Sequence, residues 1–267
     1  MSAPLREAAS VILLRRAPRG FEVFLLRRRR GASFMASAFV FPGGGADPGE
    51  DARACAAREL FEEAGVLLAR DLSEDAVRSA AALRTQILGG QDARATLTAA
   101  GLELATDVLV PWAHWITPSI EPKRFSARFF VCELPRGQDP RFDDVETVDQ
   151  AWVTPQDALA RAGELALPPP QIRTMWELAE HPTIEAVLGA GRARADELHP
   201  IMPRLRTMAP GDLPCLLLPW DPEYVEAGTG DSAPLTSQPA WARGPSRFVL
   251  EERTWKHVGA PGSTTAG

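Results

Sequence analysis

Residues 44–66 read GGADPGEDARACAARELFEEAGV. Glu59, Glu62 and Glu63 stand three and four positions apart, a spacing that puts all three on one side of an α-helix. With Glu59 at 0° and about 100° per residue, Glu62 falls near 300° and Glu63 near 40°. Ala54, Ala57, Leu60, Phe61 and Ala64 fall between about 100° and 220°, an apolar stripe fit to pack on a core. The predicted helix therefore buries one face and gathers three carboxylates on the other. Like charges this close repel. A divalent cation relieves the repulsion, and Mg²⁺ and Mn²⁺ take oxygen ligands shared between protein carboxylates and phosphates.

The flanks agree. Phe41-Pro42-Gly43-Gly44-Gly45 is a glycine-rich loop whose backbone a ligand can approach closely. Asp47-Pro48-Gly49 reads as a turn, and Glu50 and Asp51 suit the positive end of a helix. Gly65 reads as the helix stop. Arg58, four residues before Glu62, is placed to hold a carboxylate.

These residues resemble the Nudix box, G-x5-E-x7-R-E-U-x-E-E-x-G-U, where U is a bulky aliphatic. Gly44, Glu50, Arg58, Glu59, Leu60, Glu62, Glu63, Gly65 and Val66 fill every specified position. The resemblance implies an α/β fold, the Nudix α/β/α sandwich with a mixed sheet. It implies hydrolysis of a diphosphate bond linking a nucleoside to another group, with Mg²⁺ or Mn²⁺ as cofactor. It makes Glu59, Glu62 and Glu63 metal ligands, with the Gly44 carbonyl and Glu50 as further ones and Arg58 as an orienting residue. A downstream acidic residue often completes such a site or acts as base; Glu146 and Asp149, in the acidic run 139–149, are the candidates here.

The chain has 267 residues, 45% of them hydrophobic, and a net charge of −6 from 29 basic and 35 acidic residues. That is ample for a core, and the acidic balance argues against broad nucleic-acid binding. Cys55, Cys132 and Cys215 are three, far apart and without zinc spacing, which suits a reducing cytoplasm. No apolar run approaches a membrane span, and MSAPLREAAS lacks a signal-peptide pattern. His114, His181, His199 and His257 share no ligand spacing. The expected partner is a small nucleoside diphosphate-type molecule, with no nucleic acid and no membrane; a homodimer stays open.

Along the chain, residues 8–14 and 21–26 read as a hairpin. The basic run 27–30 is either a solvated loop or, through Arg28, a phosphate contact. Residues 34–41 lead into the glycine loop and 66–68 read as a short strand. Two helices, 73–86 capped by Ser73 and 92–100, form an insertion at about 72–106. Strands follow at 109–115 and 123–133. In the latter, Phe125, Ala127 and Phe129 alternate with Arg124, Ser126 and Arg128; the two arginines are either surface groups or phosphate binders. A strand at 151–153, a helix at 156–161, and a helix at 171–188 broken near His181-Pro182 complete a Nudix-type region over residues 1–200. Residues 201–258 read as an extension packed on the same domain, with strands at 215–218 and 247–258. Residues 259–267 read as a disordered tail.

The long insertion, the RFSARFF strand and the C-terminal region are similar to the coenzyme A diphosphatase branch of the family. The alternatives are ADP-ribose, NADH or nucleotide-sugar hydrolysis, or a Nudix-fold regulatory module without turnover. The last type usually lacks box glutamates, and all four are kept here.

Overall fold

A computed structural model describes residues 3–31, 35, 37–70, 73–207, 209 and 211–259. The expected tail lies outside these residues except for Gly259. So do residues 34 and 36 of the segment before the glycine loop, and residue 72 at the start of the insertion.

Strand β1 (Leu5–Ala17) turns tightly into β2 (Gly20–Arg28), with Ala17 opposite Gly20. β1 and β2 pair only from Leu14 and Val23 outward to the turn. Beyond that the segment 39–45 fills the split between them. β3 (Phe39–Val40) pairs with β2, and β4 (Gly43–Gly45) pairs with β1 opposite Ala8–Ser10. The glycine loop is thus laid into the sheet.

Helix α1 (Ala52–Ala64) follows. The insertion gives α2 (Glu74–Leu88) and α3 (Ala93–Ala99), capped by the side chains of Ser73 and Asp92. β5 (Val110–Ile116) and β6 (Arg124–Glu133) form an antiparallel pair. β6 lies parallel to β1 from Leu5 opposite Arg124 to Leu14 opposite Glu133, which makes the sheet mixed. β7 (Thr147–Val153) extends β2. It begins four residues earlier than the sequence suggests, taking Asp149 out of the acidic loop and opposite Arg27.

Then come α4 (Pro155–Ala160), α5 (Pro169–Leu178) and α6 (Ile184–Arg194). The proline run does not hold α5 off: Pro169 and Pro170 occupy its first turn, where a missing N–H costs nothing. β8 (Pro200–Ile201) adds to β5 in parallel.

The two sheet faces are covered separately. Val11, Leu13, Phe24, Leu26, Phe130 and Cys132 pack with Cys55, Ala56, Leu60 and Ala64 of α1. Ile12, Leu14, Leu25 and Val131 pack with Ile172, Met175 and Leu178 of α5 and with Ile184 and Val187 of α6. The result is the expected α/β/α sandwich.

The C-terminal residues build a second sheet, ordered β11-β9-β10-β12-β13. Its strands are β9 (Arg204–Arg206), β10 (Cys215–Leu217), β11 (Gly228–Thr229), β12 (Arg247–Glu251) and β13 (Thr254–Val258). Leu218 and Phe248 join the core beneath α5.

Two further sequence expectations change. Residues 247–258 form a hairpin rather than one strand, because Glu252 and Arg253 adopt φ of 47° and 66°; two left-handed residues make the turn whose twist fits a hairpin. Residues 66–68 form no strand. The side-chain amide of Gln138 accepts from Leu67 N–H and donates to Leu67 C=O, at 2.8 Å each, and so stands in for a neighbouring strand.

Candidate active site

Helix α1 is fixed at both ends. Asp51 caps it, accepting from the N–H groups of Arg53 and Ala54. At the other end Gly65 takes φ 69°, the left-handed stop. Beyond that stop Arg84, on α2, donates from Nε to Glu62 C=O at 2.9 Å and from Nη2 to Glu63 C=O at 2.8 Å. A guanidinium against the negative end of a helix is favourable. No local pattern marks this contact, which spans about twenty residues and depends on how the insertion folds back.

Arg58 is the hub of the polar face. It makes a two-pronged pair with Glu50, Nε to Oε1 and Nη2 to Oε2, both at 2.9 Å. Nη2 also donates to Gly45 C=O at 2.8 Å. Nη1 donates to Glu59 at 2.9 Å and to Glu62 at 3.3 Å. One side chain thus ties the glycine loop to three carboxylates; bidentate pairing suits guanidinium geometry.

Burial differs among the glutamates. Glu63 is only 4% exposed and accepts from Gly43 N–H at 2.8 Å. The helical wheel had put it on a solvent-facing side; the glycine loop folds over that side and closes it. Desolvation pushes the Glu63 carboxyl up to about 8, against the opposing pull of the Gly43 N–H. Desolvation likewise raises Glu59 to about 7 and raises Glu62, with Arg58 opposing in both. Gly44 leaves room for Glu59: a Cβ at Gly44 would lie 2.5 to 2.6 Å from its carboxylate atoms.

Arg28 and Glu146 reach the same region. Their side chains are 3.9 Å apart, and both line a cavity of about 460 Å³ that also touches Gly43, Gly44 and Gly45. The negative charge of Glu146 adds to the upward push on Glu59 and Glu63. Asp149 sits in β7, its carboxylate accepting from Gln150 N–H. Arg124 and Arg128 are not brought to the cavity. The alternation along β6 aims Phe125, Ala127 and Phe129 into it, while Arg124 donates to Thr117 C=O and Arg128 lies opposite His114. Much of the remaining lining is apolar, with Trp115, Pro168–Pro170, and Leu216 and Trp255 of the second sheet, and Ser10, Thr117, Glu121 and Gln171 interrupt it. The sequence showed the apolar half of β6 but not the wall from the extension.

Among the described residues no three His, Cys, Asp or Glu side chains converge on a preformed metal cage. Glu50, Glu59 and Glu62 turn to Arg58 instead. The donor set is nonetheless all oxygen, from carboxylates and the nearby Gly44 carbonyl, which is the chemistry of Mg²⁺ or Mn²⁺ rather than of softer metals. Glu63, desolvated and facing a main-chain N–H, is the group such an ion would most neutralise.

The NUDT19 Nudix domain family model matches residues 48–178. A Caenorhabditis elegans protein whose name carries the words nudix hydrolase 7 is 32% identical over 186 residues, 66% of this chain and 61% of that one. The human acyl-coenzyme A diphosphatase NUDT19 is 33% identical over 195 residues, 65% of this chain and 51% of that one. The chain thus spans between half and two thirds of the length of these two relatives. A crystal structure of a NUDIX hydrolase from Alicyclobacillus acidocaldarius superposes with a TM-score of 0.61 at 28% identity, covering 70% of this chain and 96% of that one. With the box complete, its helix packed on a mixed sheet and its glutamates gathered at the glycine loop, the chain belongs to the Nudix hydrolase family.

Proposed function

We propose that the protein hydrolyses the diphosphate bond of a coenzyme A-type substrate, with Mg²⁺ or Mn²⁺ as cofactor. The observation that carries this reading is the glycine loop, which touches Glu59 and Glu63 on one side and a largely apolar cavity on the other. A diphosphate at the glycine loop places one substituent beside Phe41, Trp115, Phe125 and Phe129. The arm of coenzyme A, with or without an acyl group, meets a suitable wall there. The names of the relatives support the same class.

Glu59, Glu62 and Glu63, with the Gly44 carbonyl and Glu50, are the groups that would hold the metal. Bound there, a divalent cation supplies positive charge against the diphosphate oxygens and acidifies water. Arg58 keeps Glu50 and the Gly45 carbonyl in place, and its contacts with Glu59 and Glu62 are the ones a bound ion would replace. The Gly43 N–H orients Glu63. Glu146, at the cavity wall, accepts the proton from the attacking water, and Arg28 beside it meets a phosphate oxygen.

The test is a panel of dodecanoyl-coenzyme A, coenzyme A, ADP-ribose, NADH and a nucleotide sugar, incubated with Mg²⁺ and read by mass. The expected products are a phosphopantetheine, acylated or free, and adenosine 3′,5′-bisphosphate. Turnover confined to ADP-ribose, NADH or the sugar would overturn the substrate class; none on any compound, with either metal, would favour a regulatory module.

A further inference from the structure

Strand β1 sends alternate residues to opposite faces of the sheet. Ala9, Val11 and Leu13 pack toward α1, while Ile12 and Leu14 are buried on the other face with α5 and α6. Ala8 and Ser10 continue that second row beyond the core and line the cavity. Ser10 thus puts a hydroxyl into a row that is otherwise apolar. It is half-buried, and its hydroxyl makes no hydrogen bond among the described residues. Nor is its oxygen among the sealed, unpartnered ones, so it is open to the cavity it lines. A serine hydroxyl offers a donor that can rotate to suit a ligand.

The second observation is the place of that hydroxyl against the glycine loop. Ser10 stands opposite Gly43 in the pairing of β1 with β4. A Cβ at Gly43 would lie 2.3 Å from Ser10 Oγ and 2.3 Å from the Ala9 carbonyl oxygen. Residue 43 therefore carries no side chain where the hydroxyl stands, which is the use of glycine that close approach requires. The N–H of the same Gly43 goes to Glu63 at 2.8 Å. One residue of the loop thus meets a box carboxylate through its N–H and leaves the Ser10 hydroxyl beside its Cα. Arg28 and Glu146 line the same cavity. In a largely apolar pocket, a few placed polar groups fix the orientation of the ligand.

We infer that Ser10 is a substrate-binding residue for the diphosphate. Its hydroxyl donates to a non-bridging oxygen of a phosphoryl group laid along Gly43–Gly45. The inference deepens the proposed function but rests only on diphosphate hydrolysis, not on the coenzyme A class. A non-bridging phosphate oxygen carries charge in the substrate and in the transition state alike. The bond therefore serves both, and its loss shows in KM rather than in kcat. Hydrogen bonds to charged groups are the stronger kind, and removing this one should cost on the order of 10-fold.

The probe is methylenediphosphonate with Mg²⁺, two phosphoryl groups joined by a P–C–P link that hydrolysis does not break, titrated calorimetrically into the full chain. The kinetic substrate is whichever compound of the panel the wild type turns over. Ser10→Ala removes the hydroxyl; Ser10→Cys nearly keeps its size and offers only a weak donor. Both should weaken probe binding about 10-fold and raise KM by a similar factor, with kcat within about 3-fold. Ser10→Thr keeps the hydroxyl and should stay within about 3-fold of wild type in binding and in KM. Melting curves establish that each variant is folded. Wild-type constants in Ser10→Cys beside impaired ones in Ser10→Ala would show that the position needs volume and not a donor, and would overturn the inference. A wild type that hydrolyses a coenzyme A compound while both folded variants match it in KM and probe binding overturns Ser10 and leaves the proposed function standing. Turnover confined to ADP-ribose, NADH or the sugar, with the Ser10 effects present on that compound, does the reverse. A wild type that does not bind the probe also overturns the role of Ser10.

Discussion

Glu63→Gln separates the cost of burying a carboxylate from its use. The Glu63 carboxyl is pushed up to about 8 from an ordinary 4.5, chiefly by burial. Between those values the folded protein binds a proton that the unfolded chain has released. Stability in metal-free buffer therefore falls as pH rises from about 4.5 to about 8, by at most about 1.4 kcal/mol per pH unit for this one group. At pH 7.5 roughly three units apply, an upper figure of about 4 kcal/mol. Relaxation and water penetration reduce such values, so about 1–4 kcal/mol is expected. Glutamine keeps an oxygen to accept from Gly43 N–H and cannot ionise. Metal-free Glu63→Gln should thus melt several degrees above wild type at pH 7.5, at about 2–4 °C per kcal/mol, and the gap should close toward pH 5. Saturating Mg²⁺ should raise the wild type and barely move the variant, while the variant loses nearly all turnover. The assay is a set of melting curves at pH 5, 6, 7 and 8, with chelator or with Mg²⁺. Parallel curves for the two proteins across that range in chelator would show that Glu63 is ionised at no cost, and the account of its burial would fail.

Arg58→Ala should lower activity on the order of 10–100-fold and also lower the melting temperature, since the Glu50 pair and the Gly45 contact both go; Arg58→Lys should restore little, lacking the fork, and a wild-type rate in either would remove the role. Gly44→Ala should fold normally but lose activity, because its Cβ meets the Glu59 carboxylate; unchanged kinetics would show that Glu59 moves aside freely. Arg84→Ala should raise the Mg²⁺ concentration for half-maximal rate several-fold, measured by metal titration of the rate. Exhaustive chelation should abolish turnover, and Mg²⁺ or Mn²⁺ should restore it; activity that survives chelation contradicts the metal reading.

The box was legible because its chemistry is local. Glu59, Glu62 and Glu63 share a face by helical period alone, and Gly65 stops the helix through its own φ. Local capping likewise placed α2, where Ser73 accepts from Ala76 N–H. What failed was decided across the chain. The burial of Glu63 depends on a loop twenty residues away. The hairpin at residues 247–258 depends on two residues, Glu252 and Arg253, that adopt left-handed φ without being Gly or Asn. Arg124 and Arg128 were correctly read as sharing one face of β6, but which face meets the cavity depends on how β1 and β6 pair and where α1 lies. An alternating strand tells its two sides apart and does not say which side is the site.

Arg84 carries this distinction furthest. On its own helix it is one more charged residue in a run of alanines, and neither propensity nor periodicity marks it. Its meaning comes from Gly65: a Cβ there would lie 3.0 Å from Arg84 Nη1, so the stop residue of one helix is also the gap through which a second helix reaches the first. The glutamates of α1 are therefore held from both directions, by Arg58 at the side chains and by Arg84 at the main chain of Glu62 and Glu63. A helix end with two carbonyls pinned by a guanidinium frays less than one left to solvent. The insertion, which adds no carboxylate to the cluster, thereby stiffens the segment that presents two of the four box glutamates.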